Sequence, residues 1–200
     1  MNGQEIEAKF YINNLSKIEA CLQELEARLI QVHVHEENLR FDTPDQGLRQ
    51  EGRVLRLRQD DAVRMTYKGP SEKSEGVMSR AEIEFVVEDF EKARQFLESL
   101  GYMPIIFYEK YRITYELENT HIMLDELPYG NFVEIEGRDN AGIQAAAEKL
   151  CIKWRPITTS YHALFERVCG PRQLDPSRLT FAAFGESKPN PEELGVVAAD

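Results

Sequence analysis

Ionised residues recur at every second position in stretches of this chain that otherwise read as β-strand. Glu5, Glu7 and Lys9 do so in Glu-Ile-Glu-Ala-Lys, and Arg56 and Arg58 in Val-Leu-Arg-Leu-Arg. Arg80, Glu82 and Glu84 lie in Arg-Ala-Glu-Ile-Glu-Phe, Lys110 and Arg112 flank Tyr111, and Glu134 and Glu136 lie in Phe-Val-Glu-Ile-Glu-Gly. Lys68 and Asp125 end two further strand-like runs. A strand repeats its facing every second residue, so each set shares one face. The alternate positions are often apolar: Ile6, Leu55, Leu57, Ile83, Val133 and Ile135. In an open sheet the charged face would be the wet one. A sheet rolled into a barrel inverts this: the charges line a bore and the apolar face packs against helices outside.

The segmentation repeats. A strand from Glu5 to Ile12 is followed by an amphipathic helix carrying Leu15, Ile18, Leu22, Leu25 and Leu29, capped by Asn14 or Ser16, and then by strands over 32–41, 54–59 and 63–68. Asp60-Asp61 reads as a hairpin turn, and 69–79 as a polar, mobile stretch. The pattern then restarts. Arg80 to Val87 is a strand, Asp89 caps a helix that Gly101 closes, and strands follow over 105–117, 121–125 and 131–137. Helices are expected over 141–150 and 160–168. Two halves of about four strands each predict an α+β fold: a closed antiparallel β-barrel of about eight strands, built from two pseudo-repeats, with helices packed outside. The expected division is a barrel domain over 1–170 and a C-terminal extension over 171–200, poorly ordered beyond Gly185.

Composition bounds the function. No run approaches a membrane span and no signal segment opens the chain, which predicts a cytoplasmic protein with no membrane partner. Cys21, Cys151 and Cys169 read as buried reduced thiols, and His33, His35, His121 and His162 form no zinc motif. A net charge of -11 argues against nucleic-acid binding and would repel a polyanion at long range. An anionic ligand must therefore meet a local concentration of Lys and Arg. Lys9, Arg56, Arg58, Lys68, Arg80, Lys110 and Arg112 supply it, matched by Glu5, Glu7, Glu82, Glu84, Asp125, Glu134 and Glu136. Turned inward, these groups need water, a cation and an anion, because unpaired buried charge is costly. Carboxylates suit Mg²⁺ or Mn²⁺, and Arg and Lys suit phosphate oxygens.

The ordered set resembles the CYTH superfamily, or triphosphate tunnel metalloenzymes, which includes class IV adenylate cyclases, thiamine triphosphatases and inorganic triphosphatases. The matching stretches are Glu5 to Lys9, Leu55 to Arg58, Thr66 to Pro70, Arg80 to Glu84, Glu109 to Arg112 and Leu124 to Gly137. The resemblance implies a tunnel that binds a triphosphate. Glu5, Glu7, Glu134 and Glu136 would ligate the metal, with Glu82, Glu84 and Asp125 at or near it. Lys9, Arg56, Arg58, Lys68 and Arg112 would hold phosphate. Arg80 would either join them or pair with Glu82 or Glu84. Lys110, with Lys68, would be catalytic. Arg40 stands where many members carry a tyrosine before Phe-Asp-Thr, which counts against a thiamine triphosphatase. The expected activity is metal-dependent hydrolysis of an inorganic, nucleoside or organic triphosphate. The alternative is a class IV cyclase making cyclic AMP and pyrophosphate. A non-catalytic phosphate-binding module and a plain barrel with a solvated charged face are the other readings. A homodimer is left open.

Overall fold

The structure, a computed structural model, describes residues 3–185 and 188–200. β1 (Gln4–Ile12) leads into α1 (Leu15–Glu24), whose first turn is capped by the Asn14 side chain accepting from the Lys17 N–H. Glu26 adopts φ +55 and turns the chain out of the helix, so Leu29 lies not in α1, as the spacing predicted, but in β2 (Arg28–Asp42), where it is exposed. The short α2 (Gly47–Gln50) and the hairpin of β3 (Val54–Gln59) and β4 (Val63–Lys68) complete the first half. The stretch expected to be mobile instead holds β5 (Glu72–Ser74), paired with the start of β6 (Val77–Val87). The second half runs through α3 (Phe90–Ser99), β7 (Met103–Leu117), β8 (Thr120–Leu127) and β9 (Gly130–Glu136). Asp89 caps α3, and Gly101 follows it at φ +91.

The strands pair in the order β1-β9-β8-β7-β2-β3-β4-β6, and β6 pairs back with β1. Eight antiparallel strands thus form a closed ring. Exchanging the two halves leaves every pairing in place: β1 with β9 becomes β6 with β4, and β2 with β7 maps onto itself. The expected barrel and its repeat are therefore present, and no ring strand keeps an unpaired edge.

The outward apolar side chains of β1, β8 and β9 pack against α1 and against α4 (Asn140–Lys149), through Ile18, Leu22, Ile143 and Ala147. α3 covers Phe41 and Leu57 with Ala93 and Leu97. β6 is the exception: Ile83 and Phe85 stay 60% and 52% exposed, because no helix lies over them. Cys151 is also exposed, contrary to expectation, whereas Cys169 is buried. All three thiols are free.

The C-terminal segment docks. α5 (Tyr161–Arg172) presents Leu164, Phe165 and Val168 to Tyr129 and Phe132. β10 (Arg178–Leu179) runs parallel to β7. α6 (Phe181–Phe184) and α7 (Pro191–Leu194) follow, and Leu194 and Ala199 are fully buried. The Ala199 N–H donates to the Tyr11 carbonyl (3.0 Å), and the Asp200 carboxylate accepts from the Asn13 and Asn14 N–H groups (2.9 and 3.1 Å). Backbone pairing and apolar anchors thus order the described residues beyond Gly185, where a loose tail was expected. No helix among the described residues is long and apolar enough to cross a membrane.

Leu194→Ala lowers the unfolding free energy by about 2–4 kcal/mol in urea denaturation. An unchanged midpoint would mean that the segment does not pack.

Candidate functional site

Closure of the ring sends one side-chain set of every strand into a cavity of about 800 Å³. In a ring of eight, each strand faces the one four places on. β1 therefore faces β2, and β9 faces β3. The wall of β1 and β9 carries Glu5, Glu7, Glu134 and Glu136. The wall of β2 and β3 carries Arg40, Arg56 and Arg58, with Glu36 among them.

Of the residues singled out from sequence, Glu5, Glu7, Lys9, Arg56, Arg58, Lys68, Arg80, Glu82, Glu84, Lys110, Arg112, Glu134 and Glu136 all line this cavity. They do not all play alike. Glu5 accepts from Lys68 Nζ (2.6 Å) and Arg80 Nε (2.7 Å). Burial would raise its pKa, but those two cations hold it at about 2. Glu134 is paired with Lys9 (3.2 Å) and Arg112 (2.5 Å). Against burial, Lys9, Arg112 and Lys110 keep it well below the usual carboxylate range. Glu7 and Glu136 are cross-strand partners, and among the described residues neither has a cation within 3.5 Å. Glu7 forms one long ion pair, with Arg80 at 3.8 Å, and Lys9 and Lys68 act on it from farther off. Burial, then Glu134 and Glu5, pushes Glu7 up, and burial, then Glu5, pushes Glu136 up.

Glu84 lies among cations, accepting from Thr66 (2.7 Å), Arg58 (3.2 Å) and Arg56 (3.4 Å). Glu82 sits 3.4 Å from Lys68. Arg80 pairs with Glu5 and Glu7 rather than with Glu82 or Glu84. Asp125, expected at or near the metal, is fully buried behind the wall with its oxygens taken. Arg112 donates two hydrogen bonds to it (2.6 Å each), Lys110 one (2.9 Å) and the Tyr161 hydroxyl one (2.9 Å). Its chemistry is that of an anchor for two cations, not of a free ligand.

Several site groups escaped the sequence reading. Glu36 is 1% exposed and lies 3.5 Å from Lys110, 3.7 Å from Arg58 and 3.9 Å from Arg112. Burial would raise its pKa, but Lys110, Arg112, Arg58 and Arg56 hold it at about 2. Tyr161, at the start of α5, lies under Lys9 Nζ, 4.0 Å from its ring centroid. It joins an aromatic plug with Phe132, which packs in turn on Tyr11 and Tyr129. Tyr108 and His121 line the cavity too. Burial favours a neutral Tyr108 phenol, yet Arg56 and Lys110 pull its pKa below the usual value.

Among the described residues, three metal-type ligands come within 4.8 Å of one another not in the bore but on the outer face of β2 and β7: His35, Glu37 and Glu109. There Glu109 accepts from the Phe181 N–H (2.6 Å) and lies 3.1 Å from His35 Nε2, which fastens α6 to the barrel.

The CYTH domain family model matches residues 3–155. A protein of Methanocaldococcus jannaschii, provisionally named an adenylate cyclase, is 32% identical over 135 residues, 66% of this chain and 75% of the relative. The adenylate cyclase CyaB of Aeromonas hydrophila is 27% identical over 136 residues, covering 66% and 67%. A solved protein of Pyrococcus horikoshii superposes with a TM-score of 0.62 at 26% identity, covering 73% of this chain and 89% of its own.

Two outcomes follow from the charge lattice. Asp125→Ala strands Arg112 and Lys110 and costs about 3–5 kcal/mol of stability, read by chemical denaturation. Glu36, lowered in the fold from 4.5 to about 2, stabilises the protein above pH 4.5 and loses that contribution as pH falls towards 2. Its share is on the order of 3 kcal/mol. Glu36→Gln therefore flattens the acid limb of a stability-against-pH curve between 4.5 and 2. An unaltered limb would refute the assignment.

Proposed function

The chain belongs to the CYTH domain family, and on that premise we propose that its cavity is the active site of a divalent-metal-dependent enzyme that acts on triphosphates, by hydrolysis. The observation that carries this reading is the facing of a carboxylate wall and a guanidinium wall across one bore. A phosphate chain lying between them would meet cations directly on one side. On the other it needs a bridging metal ion.

The donor set fits such an ion. Glu5 and Glu134 already have resident cations, whereas Glu7 and Glu136 are adjacent, inward-facing and poorly compensated. Oxygen donors of this kind suit Mg²⁺ or Mn²⁺. Glu7 and Glu136 would hold it, with Glu5 and Glu134 beside them; Glu82 lies close to the same wall. The ion would supply charge neutralisation at phosphorus and a template for the phosphate oxygens.

Arg56, Arg58, Arg112, Lys68 and Lys9 would exchange their present carboxylate partners for phosphate oxygens. Each is prepaid in position by strand packing, so little reorganisation is needed as charge develops. Arg80 serves Glu5 and Glu7 rather than the substrate. Lys110 is fixed between Asp125 and Glu36. It would donate to the attacking water or to the phosphoryl oxygens. Glu36, whose Oε2 accepts no hydrogen bond, would orient that water. At a pKa of about 2 Glu36 positions a proton rather than removing it.

A second reading, cyclisation of ATP by attack of its ribose 3′-hydroxyl on the α-phosphate, is favoured by the names of the Methanocaldococcus and Aeromonas relatives. It uses the same wall-to-wall cradle with the nucleophile on the substrate.

Purified protein incubated with tripolyphosphate, ATP and thiamine triphosphate, with and without Mg²⁺ or Mn²⁺, releases phosphate only with metal. Cyclic AMP in the ATP sample would establish the second reading, and no turnover of any compound would end both. Glu7→Gln abolishes metal-supported turnover, and Arg58→Ala weakens triphosphate affinity about 10- to 100-fold, both with native circular dichroism. Lys110→Ala lowers kcat about 100-fold or more with KM within a few-fold.

A further inference from the structure

Arg40 differs from the other cations of the cavity wall. Arg56 and Arg58 share Glu84, Arg112 has Asp125 and Glu134, Lys68 has Glu5, and Lys9 has Glu134. Arg40 is half-buried and lines the same cavity, yet among the described residues its guanidinium meets no carboxylate and no hydrogen-bond acceptor. Its Nε is shut from solvent without a partner. Burial opposes its charge, the Tyr108 phenol offsets part of that, and the neighbouring guanidinium groups of Arg49, Arg56 and Arg80 oppose it further.

The residue before it on the same face of β2 repeats the anomaly. Asn38 is fully buried, and neither atom of its amide has a partner. Arg56 Nε, on the adjoining β3, likewise has no hydrogen-bond acceptor, whereas Arg58 Nε is ion-paired with Asp60 at 3.2 Å. Buried polar atoms are almost always paired, so the unpaired Arg40 and Arg56 nitrogens on the cavity wall point to a ligand that would supply acceptors there. The missing partner of two or more guanidinium groups is an anion with several acceptor oxygens.

Arg40 lies at the α2 end of the bore. Arg49, within α2, and Arg53, just after it, line that end, whereas Asp60 and Asp61 line the end formed by the β3–β4 turn. Arg49 is committed to Glu166 (2.9 Å) and Arg53 to Glu51, which leaves Arg40 as the guanidinium at that end without a carboxylate partner among the described residues. A sugar or base placed there would offer it neutral acceptors and leave its charge without a counter-ion. One more phosphate would not.

We propose that Arg40 is the recognition residue of an additional phosphate subsite at the α2 end of the bore, which fits the tunnel to linear inorganic polyphosphates of four or more units. The inference rests on the triphosphate reading above and extends it by one subsite.

Dissociation constants for tripolyphosphate and tetrapolyphosphate, measured at low temperature with Mg²⁺, test it in wild-type, Arg40→Ala and Arg40→Lys proteins. The wild type binds the longer chain at least tenfold more tightly. Arg40→Ala loses that preference while tripolyphosphate affinity changes less than about threefold, and Arg40→Lys keeps part of it. The ligand-free Arg40→Ala protein melts no lower than wild type, because the side chain it loses has no internal partner. Equal wild-type affinity for the two chains, equal weakening of both by Arg40→Ala, or a lowered ligand-free melting temperature would overturn the subsite and leave the triphosphate reading standing. Failure of the wild type to bind either chain would overturn both.

Discussion

Closing a ring of strands leaves the inward side chains no escape, and in this protein those side chains are charged. Most inward cations therefore find an anion within the same bore, with Arg40 the exception. The structure meets this with a continuous lattice whose deepest node is Asp125, which holds Arg112, Lys110 and the Tyr161 hydroxyl at once. Glu36 binds the opposite side of the same cations. An apolar filling of equal volume would be at least as stable, since desolvating ions costs several kcal/mol each. What the lattice provides instead is a set of cations held in register and able to exchange one anion for another. The fold and the proposed chemistry thus depend on one condition, that the ring is closed.

The same lattice explains why the carboxylates divide. Those that lie on the strand next to a cation, Glu5 and Glu134, are neutralised within the protein. Glu7 and Glu136 face each other across β1 and β9 with too few cations to serve both. Burial raises the free energy of their ionised forms, and on the proposed reading a metal ion would supply the positive charge. The deficit sits on one wall only. The complementary deficit, unpaired donors along β2 and β3, sits on the wall opposite. A metal-bound phosphate chain satisfies both together, which neither a free anion nor a free cation would do.

How far this was legible in the sequence follows from alternation. Where charge and apolar residues alternate cleanly, as in β1, β3, β6 and β9, the period of two gave both strand and facing, and Asp60-Asp61 and Gly69-Pro70 marked the ends of β3 and β4. β2 hid its contribution. Val32 and Val34 share parity with Glu36, Asn38 and Arg40, whereas Leu39 and Phe41 carry the apolar pattern on the other parity, and register shifts interrupt its pairing with β7. Alternation there points the wrong way until the register is known. Tyr161 was invisible for another reason: it enters the site from the N-terminus of α5, and its facing is set by docking, not by any strand period. Asp125 was found as an acid in a strand, but its employment by Arg112 and Lys110 is a property of three strands at once. Docking likewise decided the tail, whose prolines read as a loose end until Leu194 and Ala199 found buried seats.

Net charge poses the remaining question, because a chain of net charge -11 must admit a polyanion. Repulsion by the outer surface is screened over about 8 Å at physiological ionic strength, so it acts on approach and fades inside a bore lined by its own charges. It acts most strongly on the free phosphate chain and least on one whose charge is already partly cancelled by a bound divalent ion. On the proposed reading, the acidic surface and the poorly compensated Glu7–Glu136 pair would select in the same direction. Both would disfavour a bare polyanion and favour its metal complex, so that the cation would enter as part of what is recognised. The basic wall can then be strongly positive without making the protein a general anion sink, since an anion that arrives alone meets repulsion outside and finds the opposite wall unsatisfied within.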